Sequence, residues 1–83
     1  MTLKIRYFAA LKDKMGKAED EIEAGTETET GEALIAWLKA RDEAAEALAH
    51  PSVRLIINDE ITTRSTPLKD GDTIAFCPPF SGG

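Results

Sequence analysis

Only one long stretch of this 83-residue chain repeats its apolar residues with a helical period. Ala33, Leu34, Trp37, Leu38 and Arg41 recur every three to four positions, which predicts one principal amphipathic helix. Thr30 suits its N-cap, and Glu32 in the first turn opposes the helix dipole. Most other apolar residues alternate instead. Leu3, Ile5 and Tyr7 alternate with Lys4, Arg6 and Phe8, the pattern of a strand with one apolar face. Val53, Leu55 and Ile57 begin a second such segment. Asn58-Asp59-Glu60 is turn chemistry, and Ile61-Thr62-Thr63 returns as a hairpin. Thr73 to Cys77 is the last strand, with Ile74 and Phe76 on one face. Glu19 to Ala24 alternates weakly around Ile22 and reads as an edge strand, whose charges discourage edge-to-edge pairing. One helix can cover one face of one sheet. The expected fold class is therefore α+β, about five short strands packed on one principal helix.

Two smaller helical segments are expected. Phe8, Leu11 and Met15 recur at helical spacing and end at Gly16, a plausible C-cap. Asp42 to Ala49 reads as helical, capped by Asp42 and ended by His50-Pro51, because the residue before proline is pushed out of the α region. Asp70-Gly71-Asp72 is a tight turn. The chain is read as a single domain, 1–83, with 78–83 as an extended tail. A domain of this size buries roughly 60% of its unfolded surface, so its stability margin is small.

Composition narrows the function by exclusion. The net charge of −5 argues against nucleic acid, which attracts basic patches. Seven acidic residues and no basic one lie between Lys17 and Lys39, and a solvated face is the expected reading. The first residues lack the apolar core of a signal peptide, and no apolar run approaches a membrane span. The one cysteine, Cys77, excludes an internal disulfide and suits a cytoplasmic setting. No metal site is expected. His50 has no cysteine or acid at ligand spacing and reads as a surface residue. Cys77, between Phe76 and Pro78, lacks the electropositive surroundings of a reactive thiol. No phosphate-binding loop, dinucleotide turn or nucleophile elbow is present. Taken alone, this chain is not expected to catalyse.

The last residues are the chemically unusual ones. Pro78 and Pro79 favour an extended backbone, and Ser81-Gly82-Gly83 follow Phe80. Glycines make a strand of minimal girth, which can thread a narrow active site and present a carboxylate there. Gly82 and Gly83 have no side chains to pack, so order there is expected to come from a partner. A Gly-Gly end by itself is equally compatible with a frayed terminus or a cloning remnant.

The run Asp70-Gly71-Asp72-Thr73-Ile74-Ala75-Phe76-Cys77-Pro78-Pro79-Phe80-Ser81-Gly82-Gly83 resembles the family of small, sulfur-carrying subunits of molybdopterin synthase. Ile5-Arg6-Tyr7-Phe8-Ala9-Ala10-Leu11 with Gly16, and Thr30-Gly31-Glu32-Ala33-Leu34, resemble the same family. The resemblance implies a ubiquitin-like β-grasp fold with a mixed sheet. It also implies that the Gly83 carboxylate is adenylated by a ubiquitin-activating-type enzyme using ATP and Mg, then converted to a thiocarboxylate. The large synthase subunit would take the tail, Ser81 and Gly82 threading its active site. It would use the sulfur to build molybdopterin from cyclic pyranopterin monophosphate, in a heterotetramer with two large subunits at the centre. No cofactor is expected on this chain itself. Phe76, Cys77, Pro78, Pro79 and Phe80 are expected to form an apolar partner-binding patch, with Phe80 as its anchor. Cys77 stands where a bulkier apolar residue is common in the family, and Phe80 where a smaller one is usual. The alternatives are a sulfur carrier for another pathway, such as thiamine thiazole synthesis, or a ubiquitin-like modifier joined to lysine.

Overall fold

The first and last strands lie side by side at the middle of one sheet. The computed structural model describes residues 1–23, 25 and 28–78. In chain order the elements are β1 (Thr2–Tyr7), α1 (Ala10–Met15), β2 (Glu19–Glu23), α2 (Gly31–Lys39), a 3-10 helix (Glu43–Ala49), β3 (Arg54–Ile57), β4 (Glu60–Thr62) and β5 (Thr73–Cys77). The sheet order is β2-β1-β5-β3-β4. β1 and β5 are parallel, and the other neighbours are antiparallel. A five-stranded mixed sheet with its main helix across one face is the expected β-grasp.

Strand alternation sorts the faces. Leu3, Ile5 and Tyr7 of β1, Leu55 and Ile57 of β3, and Ile74 and Phe76 of β5 turn inward and are buried. α2 closes over them with Leu34, Ile35 and Leu38. Each such side chain contributes about 1.5–3 kcal/mol by leaving water. Thr30 caps α2 as expected, its Oγ1 accepting from the Ala33 N–H at 3.1 Å. Gly31 is required by close approach: a Cβ there would run into Leu55 Cδ2 and lie 3.2 Å from the Arg64 carbonyl oxygen. That oxygen accepts from the Glu32 N–H at 2.8 Å.

The Asp70-Gly71-Asp72 turn ties the two central strands together. Asp70 Oδ1 accepts from the Thr2 N–H at 2.6 Å. Gly71, with φ 86°, donates its N–H to the Thr2 carbonyl at 2.7 Å. Asp72 accepts from Lys69 N and from Asn58 Nδ2, both at 2.8 Å. These bonds set the parallel register at the base of β1 and β5.

Several boundaries differ from expectation for identifiable reasons. Asn58 and Asp59 alone make the hairpin turn, both with positive φ, the geometry whose twist matches its flanking strands. Glu60 is already paired with Ile57. Phe8 lies outside α1, which starts at Ala10 and ends as expected at Gly16. Arg41 lies past the end of α2, with its guanidinium 3.5 Å over the Trp37 ring. Residues 43–49 are helical and capped by Asp42, but wound as a 3-10 helix. Arg64 donates to the carbonyls of Leu48, Ala49 and His50 and so covers the end of that helix. His50 is exposed, and its Nδ1 accepts from the Ser52 N–H. No helix among the described residues is long and apolar enough to cross a membrane.

Tyr7 carries a cost. Its hydroxyl is buried without a hydrogen-bond partner among the described residues. Burial, with Asp20 and Asp42 adding to it, pushes the phenol far above its usual range. Such an orphaned hydroxyl is destabilising, so Tyr7→Phe is expected to stabilise the fold by about 1 kcal/mol. The pH dependence has a definite sign. Above about pH 10 the unfolded tyrosine loses its proton while the folded one keeps it. Wild-type stability should therefore fall by up to about 1.4 kcal/mol per pH unit from this residue, and the variant should lack that part. Urea denaturation at pH 8 and pH 11 measures both effects.

Candidate functional site

The outer sheet face, opposite α2, leads directly to the tail. Residues paired across neighbouring strands share a face. The register therefore sets Glu19, Arg6, Ala75, Ile56 and Ile61 in one row across all five strands. The same register carries Phe8 beside Cys77, and Cys77 is paired with Arg54. Phe8 and Ile61 are the exposed large hydrophobics of the described chain, 37% and 69% accessible. Both lie on this face. The Arg6 guanidinium sits 5.2 Å from the centre of the Phe8 ring. Lys4, Arg6 and Arg54 are exposed on the same side of the sheet. On β2, Glu19 and Glu21 stand opposite Arg6 and Lys4, so part of the acidic run is balanced locally.

The expected apolar patch is therefore redrawn. Phe76 does not belong to it. Its side chain is fully buried, and its ring stacks on Tyr7 at 6.2 Å between centroids. The reason is parity: residue 76 points inward with Ile74, while Ala75 and Cys77 point outward. Cys77 is half-buried, and burial raises its thiol pKa. That disfavours the thiolate a nucleophile needs. Pro78 follows β5 and is half-buried. Pro79, Phe80, Ser81, Gly82 and Gly83 lie outside the described residues, and with them all of the expected 78–83 tail except Pro78. The sequence reading set Phe8 with Lys4 and Arg6 by alternation and also with Leu11 at helical spacing, and it did not name Phe8, Ile56 or Ile61 as part of the partner patch.

Comparison with known proteins follows this geometry. The ThiS family profile matches residues 5–83. A molybdopterin synthase sulfur carrier subunit of Escherichia coli is 33% identical over 82 residues, covering 98% of this chain and 99% of that protein. In structure, SAMP1 of Haloferax volcanii superposes with a TM-score of 0.84 at 20% identity, all of both chains being covered. That likeness shows the fold. A chain from the complex of subunits 1 and 2 of molybdopterin-converting factor from Helicobacter pylori gives a TM-score of 0.68 at 27% identity, again over all of both chains. The expected resemblance and the ubiquitin-like β-grasp fold both hold. On the match of residues 5–83, and on a full-length relative that is a molybdopterin synthase sulfur carrier subunit, the chain belongs to the ThiS family.

Proposed function

We propose that this chain is the sulfur carrier subunit of a molybdopterin synthase. The carrying observation is the full-length relationship to the Escherichia coli carrier, in a chain whose sequence after the central strand β5 reads Pro78-Pro79-Phe80-Ser81-Gly82-Gly83. A carboxylate at neutral pH is a poor electrophile. In the proposed cycle a Gly83 carboxylate oxygen attacks the α-phosphorus of ATP in a ubiquitin-activating-type enzyme, with Mg as that enzyme's cofactor, and pyrophosphate leaves. Hydrosulfide from a sulfur donor then attacks the acyl carbon, forming the C–S bond as AMP leaves. The resulting thiocarboxylate enters the large synthase subunit and supplies sulfur for the dithiolene made from cyclic pyranopterin monophosphate. A side chain at either terminal glycine would obstruct both enzymes.

The outer face suits the large subunit. Phe8, Ile56 and Ile61 supply apolar area beside the root of the tail, and Arg6 and Arg54 supply charge. Such a face, with the tail held in the partner, meets the need for an anchor near the reacting end. Ile61→Asp puts a charge on this exposed patch. It is expected to weaken binding of the large subunit at least tenfold by calorimetry, with unchanged thermal stability. Unchanged affinity would remove this face from the interface.

The test of the chemistry is intact-mass analysis after co-expression with the activating enzyme and a sulfur source. The expected product is a chain with one oxygen of Gly83 replaced by sulfur. A lysine conjugate without thiocarboxylate would instead identify a protein modifier.

A further inference from the structure

The two edges of the sheet are not protected alike. β2 carries Glu19, Asp20, Glu21 and Glu23 around one buried apolar residue, Ile22. Charges of this kind keep an edge strand from pairing with other chains. β4, at the opposite edge, has Ile61 at its centre, and that side chain is 69% accessible. The hairpin sets which backbone groups of β4 are free. Asn58 donates its N–H to the Thr73 carbonyl on β5, so by alternation residues 55 and 57 turn their backbone groups toward β4. Thr62 and Glu60, their partners, complete that ladder. The N–H and C=O of Ile61 therefore point away from β3, to the open edge.

We propose that β4 is an association site for a second copy of this chain, paired antiparallel about a twofold axis through Ile61. In that register each Ile61 N–H donates to the Ile61 carbonyl of the other copy. Each Glu60 stands across from a Thr62, so no like charges are directly opposed. The side chains agree with the backbone. Ile61 lies beside Ile56 on the outer face, and the twofold joins the two pairs into a row of four isoleucines. The same operation on β2, about Glu21, sets Glu19 against Glu23 and Glu21 against itself, which is destabilising. Charge and apolar pattern thus select β4 and a second β4. The contact is small. Three strand residues span about 10 Å, a footprint far below the roughly 800 Å² per partner of a stable interface. Each copy also carries a net charge of −5, which opposes association. The pairing is therefore weak, with a dissociation constant of about 0.1–1 mM. On the function proposed above, Ile61 also belongs to the large-subunit face, so the large subunit and the second copy exclude each other. The large subunit, with the rest of that face to hold, displaces the copy.

The experiment uses the full chain alone, by NMR, over a dilution series from about 2 mM to about 0.02 mM. This step involves neither the large subunit nor sulfur, so its failure is separable from failure of the carrier function. The expected result is concentration-dependent amide shifts centred on Glu60, Ile61 and Thr62, with slower amide exchange at Ile61 in the concentrated sample. In a mixture of labelled and unlabelled chains, nuclear Overhauser contacts should join the Ile61 methyls of the two copies. Ile61→Lys places a charge on the edge and should abolish the concentration dependence while the rest of the spectrum is retained. No shift at the highest concentration overturns the proposal, and so does a concentration dependence that survives in Ile61→Lys. Shifts centred on Phe8, Cys77 and Arg54 also overturn it and would assign the association to the sheet face. Shifts along β2 would assign it to the other edge. A second step adds the large subunit, which should erase the contacts between Ile61 methyls. Contacts that survive saturation overturn the exclusion.

Discussion

Deleting Gly83 is expected to abolish sulfur transfer while leaving the fold intact. Gly83 has no side chain to bury, and the buried core of the described residues runs from Leu3 to Phe76. Cys77 is a poor substitute site for the proposed chemistry. Cys77 is the one cysteine of the chain, and burial raises its thiol pKa. Adding one alanine after Gly83 should be nearly as harmful. It carries the carboxylate several ångström past the position that both enzymes address, and a misplacement of about 1 Å can already cost about 100-fold in rate. Cys77→Ser should retain transfer. The assay is conversion of cyclic pyranopterin monophosphate by the large subunit with thiocarboxylated carrier, alongside a circular dichroism melt. Sulfur delivery by the Gly83 deletion, or its loss in Cys77→Ser, would move the chemistry to the cysteine.

Phe76→Ala should have the largest effect on stability. Its ring is fully buried on the central strand and stacked on Tyr7. Removing a buried phenylalanine costs about 3–5 kcal/mol. A domain of this length has only about 4–12 kcal/mol in total. The expected fall in Tm is roughly 12 °C or more, with partial unfolding near physiological temperature. Partner binding would then fall because the carrier unfolds. Ile61→Asp provides the contrast, losing affinity with an unchanged Tm. If Phe76→Ala melts like the wild type, the ring is not the core element described above.

Much of this architecture was legible in the sequence because it depends on local periodicity. The alternation of Leu3, Ile5 and Tyr7 and the 3.6-residue repeat around Leu34 and Leu38 are backbone geometry written in hydrophobicity. Thr30 as a cap and Gly16 as a stop act within a few residues of themselves. The sulfur-carrier reading came from the terminal run, where residue identity rather than packing carries the signal. What required tertiary structure was anything set by partners distant in sequence. Alternation along Thr73 to Cys77 already sets Phe76 with Ile74 and apart from Cys77, although the expected patch joined the two. The pairing of β5 with β1 and β3 decides that the face of Phe76 is the one turned to the core. Phe8 fits a helix by spacing and a strand by parity, and the hydrogen bond from its N–H to the Phe76 carbonyl settles the choice. Likewise, α1 and the 3-10 helix, nearly thirty residues apart, pack side by side on the same face of the sheet. No local pattern encodes such a juxtaposition. It follows from the need of two short helices to bury their apolar sides on one shared core.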